Sequence, residues 1–97
     1  MTYGLTPRML ALLRYVQGYQ EAHGISPDYE EMVAGTGVAS KSRIGAKLDA
    51  LEERGHIRRL RNRARAIEVL RPVSIPRDPD LRPLYFVEVA HLPSHQD

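Results

Sequence analysis

The 97-residue chain has no cysteine, which excludes disulfides, thiolate metal sites and a cysteine nucleophile. Its apolar runs last only a few residues, far short of the roughly 20 needed to span a bilayer, and no basic-then-apolar leader opens it. A soluble cytoplasmic protein is the expectation. The net charge of +2 conceals a division: residues 41–71 carry ten basic groups against four acidic ones, a balance of +6, and the remainder balances at −4. A positive face of this kind suits a polyanion. The plainer reading is a solvated arginine-rich surface, since twelve of the fourteen cations are Arg.

Thr6-Pro7 predicts the start of a first helix, because Thr caps well and Pro suits the first helical position. Met9, Leu10, Leu13, Val16 and Gln17 follow helical spacing, with Leu12, Tyr15 and Tyr19 widening the stripe. Gly24 is read as a left-handed stop. Ser26-Pro27 is read as a second start of the same design, followed by Asp28, Glu30 and Glu31 where the helix dipole favours acids. Met32 and Val33 supply the apolar contact of this short helix, and Gly35 is read as its end. A glycine turn leads to Ser40, a third cap. Ile44, Leu48 and Leu51 then fall at i, i+4 and i+7 of a helix running to about Arg54, with Gly55 closing it.

Two short stretches, 57–60 and 66–70, are read as a hairpin whose tip carries Arg61, Arg63 and Arg65. Beyond Arg71 the prolines at 72, 76, 79 and 83 predict an extended linker, neither helix nor central strand. Residues 84–92, LYFVEVAHL, are strand-like with apolar groups on both faces. The organisation expected is a folded domain of helices and hairpin over 1–71, a Pro-rich linker over 72–83, and a strand-like segment and tail over 84–97.

Three capped helices followed by a basic hairpin describe a winged helix-turn-helix, mainly α with a β-hairpin wing (α+β). A third helix of this kind fits a major groove about 12 Å wide while its apolar stripe packs on the other two. The charge agrees, because the cations cluster on the third helix and the hairpin.

The ordered set Leu5-Thr6-Pro7-Arg8, Gly24-Ile25-Ser26-Pro27, Glu30-Glu31-Met32, the run from Leu48 to Arg59, and Arg65-Ala66-Ile67-Glu68-Val69 resembles the N-terminal DNA-binding domain of LexA-type SOS repressors. The similarity spans about Leu5 to Leu70. It implies base readout from the head of the third helix and wing contacts to backbone and minor groove. Carried over, this implicates Ser40, Ser42, Arg43, Gly45, Ala46 and Lys47, with Arg63 and Arg65 in the wing; Lys41 in the helix head and Arg61 at the hairpin tip join the candidate DNA-binding residues as cations of the same positive segment. The helix head departs from the family's usual sequence, so the SOS operator is not transferred, and Gly45 offers no side chain to a base.

The resemblance also implies a downstream serine–lysine self-cleaving domain. The only lysines are Lys41 and Lys47, both in the third helix, so no such dyad can form after it and no self-cleavage is expected. Other enzyme readings are weak: Ser74 and Ser94 lie in proline-bearing segments without an activating context. His91 and His95 are four apart but separated by Pro93, which argues against a metal-binding helix. No cofactor or metal is expected. His23 and His56 beside helix-ending glycines are read as exposed, and Tyr15, Tyr19 and Tyr29 as core or rim aromatics rather than base-stacking platforms.

Three functions stay open: a sequence-specific binder of double-stranded DNA acting as a transcriptional regulator, more in keeping with a repressor; a protein-interaction winged helix docking through its C-terminal strand; and a non-specific nucleic-acid binder. For the first, a homodimer through residues 84–92 is expected, against the alternative that this strand folds back on its own domain.

Overall fold

A computed structural model describes residues 5–60 and 66–85. The element order is α1 (Pro7–His23), α2 (Tyr29–Thr36), α3 (Lys41–Glu53), β1 (Ile57–Arg59) and β2 (Ile67–Val69). The strands form one antiparallel pair with Ile57 opposite Val69 and Arg59 opposite Ile67. This is the expected winged arrangement, mainly helical with a hairpin.

The helix ends follow from capping chemistry. Thr6 accepts from the Met9 N–H at 3.1 Å, and α1 stops at Gly24 with φ 76°. The start of α2 differs from the sequence reading. Its cap is Asp28, in a reciprocal capping box with Glu31: the Glu31 N–H donates to Asp28 and the Asp28 N–H donates to Glu31, both at 2.8 Å. Ser26 is left for another task. Its hydroxyl oxygen accepts from the Ile67 N–H at 3.0 Å, while Gln20 donates to the Ile67 carbonyl at 2.5 Å. Between them, two side chains satisfy both outer backbone groups of Ile67, and Gln20 ties the wing to α1.

Gly35 does not end α2 either; Thr36 does, before Gly37. Gly35 is buried, and a Cβ there would land on the Tyr15 ring, so it is a point of close helix approach. The core behind these elements is continuous. Leu12, Leu13 and Val16 of α1 meet Met32 of α2, Ile44, Leu48 and Leu51 of α3, and Ile57 and Ile67 of the wing. Each such side chain contributes about 1.5 to 3 kcal/mol when fully buried. Tyr15 belongs to this core, and burial, with the Glu31 charge adding to it, pushes its hydroxyl up to about 12. His56, read as exposed, is buried. It occupies the tight turn between α3 and β1, where its N–H donates to the Leu51 carbonyl at 2.9 Å.

Residues 72–85 are extended, as their prolines require, but they lie along α1. Gln17 holds Val73 at both backbone groups, donating at 2.7 Å and accepting at 2.9 Å. Arg14 donates to the Ser74 carbonyl at 3.1 Å, and Arg77 makes a two-pronged pair with Glu21 at 2.6 and 2.8 Å. Asp78 organises the turn that returns the chain, accepting from the N–H groups of Asp80 and Arg82 at 2.9 Å each. Tyr85 is then buried over Gly18, where a Cβ would collide with its ring, beside Tyr15 and Tyr19. Tyr85, expected on a strand free for pairing, is instead part of the core. Residues 86–97, including the rest of that strand, lie outside the described residues.

Candidate nucleic-acid interface

The turn Gly37–Ala39 joins α2 to α3, and Ser40 caps α3 by accepting the Arg43 N–H at 3.2 Å. Because Ile44, Leu48 and Leu51 are buried, helical geometry turns Ser42, Ala46, Asp49 and Glu53 outward on the opposite side. All four are exposed. Arg43 is exposed on one flank of this stripe, and Lys47, half-buried, lies on the same flank. Gly45 is on the other flank, facing Tyr29: a Cβ there would meet the ring at an ordinary 3.6 Å. Lys41 is exposed in the first turn, 3.6 Å from Glu30 of α2. With both side chains well hydrated, that pair contributes little.

Charge is unevenly spread along α3. Its first seven residues contain Lys41, Arg43 and Lys47 and no acid, whereas Asp49, Glu52 and Glu53 fall in its last five. The head of the helix is thus the part whose charge and small outward side chains suit a phosphate-lined groove. This is also the end that helix-turn-helix proteins present to base edges.

The wing rises from the far end of α3. Leu60 extends the ladder by donating to the Ala66 carbonyl at 3.0 Å. Arg61, Arg63 and Arg65 lie outside the described residues. The cations at the root of the wing are engaged within the protein. Arg58 pairs with Glu68 directly opposite it in the sheet at 2.5 Å.

Arg59 reaches from β1 to two helices, α3 and α2. Its Nε donates to Glu52 at 2.9 Å, Nη2 pairs with Asp49, and Nη1 lies 3.5 Å from the Tyr29 hydroxyl. The Asp49 carboxylate, helped by Glu52, holds this guanidinium still more firmly in its charged form. Sequence reasoning counted Arg58 and Arg59 with the positive segment and missed this pairing. A signal existed in the alternation of β1. Ile57 is buried, Arg58 exposed and Arg59 half-buried, so Arg59 shares the α3 side with Ile57.

A capped helix with a short outward stripe, packed across two others and flanked by a two-stranded wing, defines a winged helix-turn-helix domain of the DNA-binding kind. Residues 2–66 match the family model of the LexA DNA binding domain, two thirds of the chain, and the chain belongs to that family. It is similar to the LexA repressors of Novosphingobium aromaticivorans (52% identical), Erythrobacter litoralis (49%) and Zymomonas mobilis (49%), each over 67 residues. Those alignments cover 69% of this chain and 29 to 31% of the relatives, so the chain spans under a third of their length. Among the described residues no helix is long and apolar enough to cross a membrane.

Proposed function

We propose that this chain binds double-stranded DNA sequence-specifically and represses transcription on the nucleoid, with α3 in the major groove and the wing on the adjoining backbone or minor groove. The observation that carries this reading is the head of α3. Ser42 and Ala46 face outward from a rigid core, Arg43 and Lys47 flank them, and no acid interrupts the helix before Asp49. Membership of the LexA DNA-binding domain family and the repressor names of its relatives support it. The role assignments are Ser42, Arg43, Ala46 and Lys47 toward the groove; Ser40 and Lys41 at the helix entrance; Gly45 as a position of close approach; and Arg61, Arg63 and Arg65 toward phosphate. Since one winged helix covers a half-site, we further propose that two copies occupy a two-fold operator. Any pairing strand begins after Tyr85, whose side chain is spent on α1.

Selection from random duplexes with the full chain tests the reading. The expected result is a discrete motif present as a two-fold repeat. A featureless salt-sensitive affinity would indicate the non-specific binder instead, and no retention at low salt would remove DNA binding altogether.

A further inference from the structure

Four charged side chains lie at the junction of α3 and the wing, and their pairing bears on how α3 meets DNA. The outward stripe that starts with Ser42 and Ala46 continues one turn later into Asp49, whose side chain is 70% exposed. A duplex lying along the head of α3 passes this carboxylate. Glu52 and Glu53 follow within one turn, so the bare helix would carry three negative charges where phosphates approach. Arg59 stands against the first two. Its side chain is only 30% exposed, and each of its nitrogen-bearing arms faces a protein oxygen: Nε on Glu52, Nη2 on Asp49, Nη1 near Tyr29. Its backbone N–H also donates to the second oxygen of Glu52 at 3.2 Å. A guanidinium so occupied is poorly placed to release condensed counterions by taking a phosphate of its own.

We infer that Arg59 is a positioning residue for DNA binding, which masks the Asp49 carboxylate on the outward stripe of α3 and clamps the first wing strand to that helix. This inference rests on the DNA-binding reading above and identifies which charge allows the middle of α3 to approach a duplex. It differs from a phosphate-contact role in one testable respect: the benefit of Arg59 exists only because Asp49 is there. An unmasked carboxylate about 8 Å from two phosphates, in a medium close to water, weakens binding about twofold at 0.1 M salt.

The experiment compares Arg59→Gln with the double variant Arg59→Gln, Asp49→Asn. Gln keeps most of the stem and can still donate to Glu52, and circular dichroism verifies that the variants are folded. Affinity is measured across a salt series on the duplex selected by the wild-type chain. Expected is a roughly twofold loss for the single variant and a return to the wild-type affinity for the double variant, with the salt slope of the wild type. If the double variant stays as weak as the single one, masking is overturned. A slope shallower by about 0.9 would then make Arg59 a phosphate ligand, and an unchanged slope would make it only a strut. Asp49→Asn alone, which leaves Arg59 in β1, supplies a second reading. It should bind about two- to threefold more tightly, and weaker binding would overturn the proposal even if Arg59→Gln failed to fold. A wild-type chain that selects no duplex removes the proposed function and the masking role together. Wild-type binding without rescue removes the masking role alone.

Discussion

The α1 face and the α3 face of this domain use similar side chains to different ends. Along α1, arginines turn onto protein: Arg14 reaches the Ser74 carbonyl, Arg77 grips Glu21, and the chain that follows the wing closes over Gly18 with Tyr85. Along the head of α3 the outward positions are small or exposed, and no described segment crosses the Ser42–Ala46 stripe. One face is closed by its own chain. The other keeps its backbone close to solvent, which a helix needs if it is to sit deep in a groove. The contrast predicts that the α1 face sets stability and leaves recognition alone, and that the α3 head does the reverse.

The largest effect should come from Tyr85→Ala. Removing a buried ring from its place beside Tyr15 and Tyr19 costs about 3 kcal/mol. That loss should appear as a lower urea midpoint for the full chain. The base preference found by selection, measured well below that midpoint, should be unchanged. An altered preference would break the division, because it would mean that residues 72–85 act on α3 through the core.

Arg43→Ala probes the opposite face. Reading of a base edge by Arg contributes about 2 kcal/mol of discrimination, so the preference at one or two positions should relax by roughly thirtyfold. Its exposure on α3 keeps the stability change within about 0.5 kcal/mol. Competition titrations against single-base variants of the selected duplex measure the first, and urea unfolding the second. Unchanged site preference would move the recognition surface off Arg43.

Local chemistry made the helices and the wing legible in the sequence. Thr6, Gly24 and Ser40 are caps because of what they do to the nearest few backbone groups, and the spacing of Ile44, Leu48 and Leu51 marks the inner side of α3 without any tertiary knowledge. The start of α2 was ambiguous at that range. Ser26-Pro27 reads as the start and Asp28 as an acid of the first turn, whereas the Glu31 three residues after Asp28 marks Asp28 as the cap. Contacts of long reach left no such trace. Gln17 meets Val73 at a separation of 56 residues, and prolines that forbid a central strand say nothing about docking on a helix. The expected linker thus looked free. The outward side of α3 followed from its inner side, but the charge arithmetic could not tell Arg59, which is held by Asp49 and Glu52, from cations facing a ligand.

The smallest effect, and the one that separates charge from packing on the α1 face, concerns Glu21 and Arg77. Glu21 lies in the last turns of α1, where the helix dipole disfavours a negative charge. The Arg77 guanidinium reverses that. Its hydrogen bonds hold the Glu21 carboxyl below its ordinary value of 4.5. A carboxyl depressed in the folded state contributes stability above its unfolded value, and that contribution is lost as pH falls through the folded one. Wild type should therefore exceed Glu21→Gln in urea midpoint at pH 7, and the gap should close as the pH is lowered from about 5 through the acid range. Both groups are open to solvent, so the gap should also shrink between about 0.05 and 0.5 M salt. Arg77→Gln should lose the same pH- and salt-dependent part. If wild type and Glu21→Gln instead keep a constant difference from pH 7 to pH 3, the ion pair contributes nothing, and residues 72–85 are held on α1 by the hydrogen bonds to Val73 and Ser74 and by the buried Tyr85.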